Sequence, residues 1–383
     1  MGNSSTKLEK TFEGHIPDGE RYYGLENFGN TCYANSVLQA LYFCKPFRER
    51  LIAHHASLAK DHEENLLTVL GELFSEISSQ KKRTGVLAPR RFIQRLKRDN
   101  ELFRSFMHQD AHEFFMFTLN ECCEILEREA RAAREKEEGG AGAPASPSPS
   151  GSPPITTWIH DVFQGHLTNQ TKCLWCENVT SREECFLDLS LDVEQNSSLA
   201  SCLRAFSDDE LLDARDKFQC DACGGLQEAH KRMLVKTAPR VLALHLKRFK
   251  YVEALGRHSK LMHRVAFPRE LKLDDRVLAP DAPVAEHDAT YRLFAVVVHL
   301  GSGPNHGHYV CLVRSHGQWL TYDDDVVDLA DEDDLARLYG NASERAAGNE
   351  HGYILFYQRD EDEEAASSGG VGAGVGGGGG ETT

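Results

Sequence analysis

The chain has 383 residues, 40% of them hydrophobic and 27% charged, which is ordinary for a folded protein with a sizeable core. Its net charge of −16 argues against general nucleic-acid binding, which needs a basic surface. No apolar run has membrane-spanning length, and MGNSSTKLEK lacks the apolar centre of a secretory signal, so we expect a cytoplasmic or nuclear location, or both. In these reducing compartments the 11 cysteines favour metal binding or catalysis over disulfides.

The predicted elements are helical early in the chain and β-rich later. Apolar side chains at helical spacing predict a helix over residues 35–43, and a second helix is predicted to start at Asp110, with Glu113 at the capping-box position. In VLALHLKRF the leucines alternate on one face of a strand, and short β-rich runs predict further strands at 291–299, 309–313, 319–322 and 353–357. This order of elements predicts an α+β fold.

Three segments are predicted to be unstructured. The segment at about 131–155 begins with charged residues and continues with residues rich in Ala, Gly, Pro and Ser. Residues 359–383 are acidic at first and then rich in glycine. Neither composition can bury enough apolar surface to fold. With a flexible stretch at 1–20, these segments leave one folded domain over residues 21–358.

Cys32 in NFGNTCYANSVLQAL is the candidate nucleophile. It stands at the start of the predicted helix, where unpaired N–H groups and the helix dipole stabilise a thiolate. Gly29 permits a tight turn before it, and Asn27 with the Cys32 N–H could donate to an oxyanion. Taken alone, a buried helix-capping cysteine is the more frequent explanation of such a residue.

His308 in GSGPNHGHYVCL is the candidate base. It enters a predicted strand beside Gly307, which we expect to leave space for a substrate, and the following Tyr309 and apolar run favour it over His306. In WLTYDDDVV, Asp323 ends a strand and can bond the far imidazole nitrogen, which sets the tautomer. Asp324 would face the opposite side of an extended chain and could serve a second role. The order Cys, His, Asp is what a papain-like thiol protease requires.

Two CxxC pairs predict a structural metal site. The two-residue spacing lets both thiolates of a pair face one ion, and two pairs supply four thiolates for tetrahedral Zn²⁺, with no position open for catalytic water. We expect β-hairpins to bring the pairs together, since the gap between them is long. The four predicted ligands are Cys173, Cys176, Cys220 and Cys223.

The motifs together resemble the ubiquitin-specific proteases, in order and over roughly residues 21–358. The matching segments are GLENFGNTCYANSVLQALYFC, QDAHEF, CLWC with CDAC, LALHLKRF, GPNHGHYV and GYILFY. The chain looks most similar to a small subgroup activated by WD40-repeat proteins. The resemblance implies a papain-like domain with a thumb at about 21–130, and with zinc-bearing fingers and a palm over about 156–358.

The resemblance also implies roles for single residues and no catalytic cofactor. Cys32 would be the nucleophile, His308 the base and Asp323 the orienting acid. Asn27 would donate to the oxyanion, and Asp324 is similar to an auxiliary acidic position. Ubiquitin would be the substrate partner, and its tail would meet four positions, which are Asp110, Glu113, Gly307 and Tyr309.

Two alternatives and one modification stay open at this point. A catalytically silent ubiquitin-binding scaffold, or a protease for another ubiquitin-like modifier, would share these motifs. MGNSST fits the pattern for N-myristoylation, which would give weak, reversible membrane contact, and a plain unstructured start explains the same residues.

Overall fold

The computed structural model describes residues 19–59, 61–105, 107–139, 155–253, 256–303, 306–340 and 349–360. The predicted myristoylation pattern at Gly2, most of the insert and most of the tail lie outside these residues. No helix in the described ranges has both the length and the apolar character needed to cross a membrane.

Most of the larger helices come from the first half of the chain. In chain order, the α-helices of the described residues are α1 (Cys32–Phe43), α2 (Lys45–Ser57), α3 (Leu66–Ser79), α4 (Arg90–Asp99), α5 (Ala111–Gly139), α6 (Trp158–Phe163), α7 (Leu199–Ser207), α8 (Val284–Asp288) and α9 (Glu332–Arg337). Every residue of α1 is buried, so this helix runs through the core. Asp110 caps α5, because its Oδ1 accepts from the backbone N–H groups of His112 and Glu113 at 2.7 and 3.3 Å.

The strands dominate the second half. They are β1 (Tyr22–Leu25), β2 (Thr84–Leu87), β3 (Gly165–Cys173), β4 (Val179–Phe186), β5 (Leu189–Asp192), β6 (Ser197–Ser198), β7 (Glu210–Leu212), β8 (Phe218–Cys220), β9 (Gly225–Gln227), β10 (Ala229–Thr237), β11 (Val241–Lys247), β12 (Phe249–Val252), β13 (Arg257–Lys260), β14 (Val265–Ala266), β15 (Glu270–Leu271), β16 (Tyr291–Gly303), β17 (His306–Ser315), β18 (Gln318–Asp323), β19 (Val326–Ala330) and β20 (Glu350–Arg359). The α+β prediction is confirmed.

The palm is an eight-stranded sheet. Its order is β19-β18-β17-β16-β20-β11-β5, with β15 added beside β16, and only the β11–β5 pair is parallel. Leu242, Leu244 and Leu246 of β11 share one core, as the alternation predicted, while Val241 and Ala243 face the helices in a second core. Each fully buried leucine contributes roughly 1.5–3 kcal/mol, so burial on both faces holds this sheet firmly between two layers.

The fingers and the thumb flank the palm. A four-stranded antiparallel sheet in the order β4-β3-β10-β7 forms the fingers, with the β8–β9 hairpin near its end. The parallel β1–β2 pair and helices α1 to α5 form the thumb. Since α1 packs against β17, the thumb and the palm meet where the predicted catalytic residues lie.

Three boundary predictions were wrong by a few residues. Helix α5 continues to Gly139, although its last turns are charged and were assigned to the unstructured insert. Glu20, assigned to a flexible start, is buried and forms an ion pair with Arg48 at 2.5 Å. Strand β20 ends at Arg359 rather than at Gln358. Composition alone missed these ends. Ion pairs between distant residues, Glu20 with Arg48 and Arg359 with Glu286, hold the two polar ends of the domain, and Arg131 pairs with Glu127 where the α5 extension begins.

Candidate active site and metal centre

The turn before α1 places Cys32 at the start of that helix. The side chain is almost fully buried, with 2% of the residue exposed. Thr31 closes the turn, because its Oγ1 accepts from the Phe28 N–H at 2.9 Å and its own N–H donates to Asn27 Oδ1 at 3.2 Å. Gly29 has a φ of 82°, a left-handed conformation that glycine adopts readily. The Cys32 sulfur therefore lies at the positive end of the α1 dipole.

His308 and Asp323 come from neighbouring palm strands, β17 and β18. The His308 Nε2 atom lies 2.5 Å from Asp323 Oδ1. A hydrogen bond with Cys32 is the largest cause that raises the pKa of His308 to about 9, the contact with Asp323 adds to it, and burial opposes both. Since Nε2 faces Asp323, Nδ1 is the ring nitrogen left for Cys32. The structure thus brings together the three predicted catalytic residues, with the imidazolium form of His308 favoured beside the Asp323 carboxylate.

Asp324 differs from the expectation of an extended chain. Its φ of 50° turns the backbone, so its carboxylate stays on the side of His308, with Oδ2 4.0 Å from the His308 Nε2 atom. That Oδ2 accepts from Asn27 Nδ2 at 2.7 Å, and Oδ1 accepts from Asn35 Nδ2 at 2.8 Å. The Asp324 carbonyl accepts from the Leu25 N–H at 2.8 Å. Asp324 therefore connects the palm to the turn that precedes the nucleophile.

Gly307 does not leave open space on the side where a Cβ would point. A Cβ there would overlap the His299 ring and the Leu300 carbonyl of the neighbouring strand, so that part of the prediction is wrong. Tyr309 is buried, and its ring centroid lies 4.8 Å from that of His299 and 5.9 Å from that of Tyr353. These residues form a packed support for the strand that carries the candidate base.

Asp110 and Glu113 line a cavity of about 380 Å³ beside the palm, together with His112, His245 and Lys247. Both Asp110 oxygens have partners within the protein, since Oδ1 caps α5 and Oδ2 accepts from the Tyr353 hydroxyl. Burial, and then the nearby Asp110 charge, raise the pKa of Glu113. A cationic side chain entering this cavity would meet two carboxyl groups. His306 lines a neighbouring part of the cleft with Ser302 and Gly303.

The four predicted metal-binding cysteines converge at the end of the fingers. Cys173 and Cys176 lie at the β3–β4 turn, and Cys220 and Cys223 at the β8–β9 turn, so two hairpins bring them together as predicted. The sulfur atoms all lie within 4.8 Å of one another, with distances of 3.9 Å from Cys173 to Cys223 and 3.6 Å from Cys176 to Cys220. Tetrahedral Zn²⁺ with Zn–S bonds of about 2.3 Å needs sulfur separations of about 3.8 Å, so the cluster could hold this ion.

Sequence reasoning missed several polar residues at the site. Asn35 lies one turn after Cys32 on α1, and the only available signal was a carboxamide among apolar neighbours. A second group joins the thumb to the palm, in which His112 Nε2 bonds Asp188 at 2.8 Å, Ser190 bonds His245 Nδ1 at 2.9 Å, and the two imidazole rings stack at 3.8 Å. His245 lay within a recognised motif, but its partners are far away in the chain.

The fold and the Cys32, His308 and Asp323 cluster define a papain-like thiol protease. The model of the family described as "Ubiquitin carboxyl-terminal hydrolase" matches residues 23–357. Ubiquitin carboxyl-terminal hydrolase 4 of Arabidopsis thaliana is 57% identical over 366 residues, with 94% of this chain and 99% of the relative covered. Ubiquitin carboxyl-terminal hydrolase 12 of Salmo salar is 50% identical over 362 residues, covering 94% of this chain and 95% of the relative.

Solved structures agree on the fold. The SAGA Ubp8/Sgf11/Sus1/Sgf73 DUB module bound to ubiquitin aldehyde matches with a TM-score of 0.68 and 24% identity, over 93% of this chain and 75% of that chain. A second structure of the module, bound to monoubiquitin, matches with a TM-score of 0.69 and 24% identity, over 93% of this chain and 74% of that chain. The chain therefore belongs to the ubiquitin carboxyl-terminal hydrolase family and is a deubiquitinating cysteine protease, which confirms the resemblance noted in its motifs.

Proposed function

We propose that this protein cleaves the isopeptide bond at the C-terminal glycine of ubiquitin, with Cys32 as nucleophile and His308 as general base and acid. The contact that supports these roles best is the 2.5 Å bond between His308 and Asp323, on an imidazole whose pKa is raised first of all by its interaction with Cys32. Asp323 holds the ring in the orientation that points its other nitrogen at the thiol, which is what proton transfer needs.

The acylation step follows from this arrangement. His308 takes the Cys32 proton, and the thiolate attacks the glycine carbonyl carbon, which forms a carbon–sulfur bond and places negative charge on the carbonyl oxygen. One Asn27 N–H is bound to Asp324, so the other is left to donate to that oxygen together with the Cys32 backbone N–H. His308 then gives its proton to the lysine amine as the carbon–nitrogen bond breaks.

The deacylation step uses the same groups. His308 removes a proton from water, and the resulting hydroxide attacks the thioester carbonyl. Collapse of this intermediate breaks the carbon–sulfur bond, releases the ubiquitin carboxylate and returns the proton to Cys32. Asp324 takes part by orienting Asn27 through the 2.7 Å bond between them. No catalytic cofactor enters this sequence.

We also assign the cavity lined by Asp110 and Glu113 to the ubiquitin tail. Asp110 and Glu113 would attract its arginines, and charge-assisted bonds of this kind are among the stronger hydrogen bonds in proteins. Gly307 and Tyr309 would shape the path of the terminal glycines, since both flank His308 on β17.

Zn²⁺ is the ion we propose for the four-cysteine cluster. Two hairpins joined by one ion form a stable fingertip, and the role is structural because all four positions are protein thiolates. The cysteines would bind the ion as thiolates, so metal binding would release protons.

The proposals for regulation and cellular location are based on sequence motifs. A WD40-repeat activator is proposed from the motif resemblance, and exposed apolar side chains at the fingertip, such as Trp175 and Leu226, are compatible with a partner there. Cytoplasmic and nuclear residence, with weak membrane contact through a myristoylated Gly2, completes the proposal. Intact-mass analysis from a host with myristoyltransferase would test the modification.

The test is hydrolysis of a fluorogenic ubiquitin C-terminal amide by the wild-type protein and by Cys32→Ala, with and without WD40 partners. Activity that disappears in Cys32→Ala supports the thiol mechanism, and a large partner effect supports activation. If the wild-type protein keeps its metal and binds ubiquitin but never cleaves the amide, the result supports the catalytically silent scaffold. Faster cleavage of a ubiquitin-like amide than of ubiquitin would identify the other modifier as the substrate.

A further inference from the structure

We propose that Asn35 is a positioning residue for the reaction, which acts on the oxyanion donor Asn27 through the carboxylate of Asp324. The inference rests on the roles proposed above for Asn27 and Asp324, and it adds a residue that touches neither the substrate nor the triad. Asn35 lies three positions after Cys32, one helical turn further along α1.

One carboxamide joins three segments of the chain. The Asn35 Nδ2 atom donates to the carbonyls of Leu25 and Glu26 at 3.2 and 3.3 Å, and to Asp324 Oδ1 at 2.8 Å. The first two carbonyls end β1 and lead into the turn before Cys32, and the carboxylate belongs to the palm. Because Asn35 is only 2% exposed, water does not compete effectively for these acceptors.

The two ends of the Asn35 amide are used unequally. Its nitrogen has three acceptors within reach, whereas its Oδ1 is buried and has no hydrogen-bond partner among the described residues. A buried carbonyl without a partner destabilises a fold, and such groups call for an explanation. The explanation we infer is the need for an N–H donor at this point of the seam between thumb and palm.

Asp324 needs two donors to hold one orientation. Asn35 donates to Oδ1 and Asn27 donates to Oδ2, so each carboxylate oxygen is held by one amide. Only 11% of the Asp324 side chain is exposed. Its Oδ2 is also 4.0 Å from the His308 Nε2 atom. Without Asn35, the carboxylate can rotate, release Asn27 and compete with Asp323 for the same ring nitrogen.

The chain offers a matched control one turn further on. Gln39 is also 2% exposed, and its Nε2 donates to the Tyr23 carbonyl at 2.8 Å, so it ties α1 to β1 in the same way but belongs to no bond with Asp324. Gln39→Ala should therefore match the effect of Asn35→Ala on thermal stability. Only Asn35→Ala should disturb the chemistry.

The experiment is a double-mutant cycle on full-length protein, with kcat and KM for the fluorogenic ubiquitin amide, melting temperatures, and ubiquitin affinity measured in a Cys32→Ala background. We expect Asn35→Ala to lower kcat about 30- to 100-fold, less than the roughly 100- to 1,000-fold lost with an oxyanion donor itself because Asn27 is still present, with ubiquitin affinity kept within about two-fold. Gln39→Ala should keep kcat within about three-fold. Because Asn35 acts through Asp324, Asn35→Ala combined with Asp324→Asn should be no slower than Asp324→Asn alone.

The outcomes separate this inference from the proposed function. A strong Asp324→Asn effect with multiplicative loss in the double variant overturns the role of Asn35 and leaves the function intact. Equal kcat loss in Gln39→Ala overturns it as well. If Asp324→Asn is silent, the role of Asp324 fails, and the inference fails with it.

A second variant keeps the test valid if Asn35→Ala does not fold. Asn35→Asp has the same shape but sets a second carboxylate against Asp324, 2.8 Å from its Oδ1 in the present geometry. Two carboxylates this close share a proton more readily as the pH falls, and the shared proton restores the donor. The ratio of wild-type kcat to Asn35→Asp kcat should therefore be smaller at pH 6 than at pH 8. A constant ratio contradicts the inference.

Discussion

Asp323→Asn should move the alkaline limb of the pH–rate profile as well as slow the reaction. The pKa of His308 is raised from 6.5 to about 9, with Cys32 as the largest cause and Asp323 as a further one. The imidazolium therefore persists below about pH 9 and is lost as the pH rises through that value. Removing the Asp323 charge lowers this pKa, so activity should fall at a lower pH.

The size of the shift follows from the exposure of the pair. The full change in the His308 pKa corresponds to about 3 kcal/mol, before screening and before division between the causes. His308 and Asp323 are 36% and 52% exposed, so solvent screens their attraction, and the carboxylate's share is about 1 kcal/mol. We expect the alkaline limb to move down by a little under one pH unit. The loss of ring orientation should also lower kcat about 100-fold or more.

The assay is kcat/KM for the fluorogenic ubiquitin amide between pH 6 and pH 10. Asp325→Asn is the matched control, because it removes the same charge from an exposed side chain two residues further on. The alkaline limb of Asp325→Asn should lie at the same pH as that of the wild type. The reasoning is refuted if Asp323→Asn slows the enzyme but leaves its alkaline limb within about 0.3 pH units of wild type, a difference too small for a screened 1 kcal/mol contact.

Three further predictions test the seam, the metal and the tail cavity. Gly24→Ala should destabilise the protein by about 1–3 kcal/mol, because a Cβ would overlap the backbone of Asp325. Its melting temperature and its kcat should both fall. An unchanged kcat would show that catalysis does not need the close contact between β1 and the palm turn at Asp325. Cys220→Ser should lose one bound Zn²⁺ per chain by metal analysis and should melt several degrees below the wild type. If the variant keeps the same zinc content as the wild type, the four-cysteine cluster is not the zinc site. Glu113→Gln should raise KM for the ubiquitin amide about 5- to 10-fold with little change in kcat, and a selective loss of kcat would place the residue in the chemistry instead.

Much of the site could be predicted from local patterns. The apolar spacing after Cys32 defines a helix, and the start of a helix is where a thiolate is stabilised. The two CxxC pairs define ligand pairs without knowledge of the fold, because each knuckle is set by its own turn. The leucines of β11 alternate as the sheet requires.

Composition was a poor guide at the domain edges. The charged residues 131–139 extend α5, and Glu20 is held by Arg48. A helix already formed by a packed N-terminal part can continue through polar residues, since adding a residue needs no new nucleation. Composition describes how much apolar surface a segment offers, but not which neighbour holds it in place.

The sequence by itself determined the residue types, the helix that carries Cys32, the strands and the family. Only the tertiary structure decided what surrounds the catalytic residues. Asn35 and Asp324 are 289 positions apart, and no local pattern pairs them. The positive φ of Asp324 reverses the side that an extended chain would give it, and His299 fills the side of Gly307 expected to be open. Such contacts depend on how the thumb docks against the palm, which is set by packing over the whole domain.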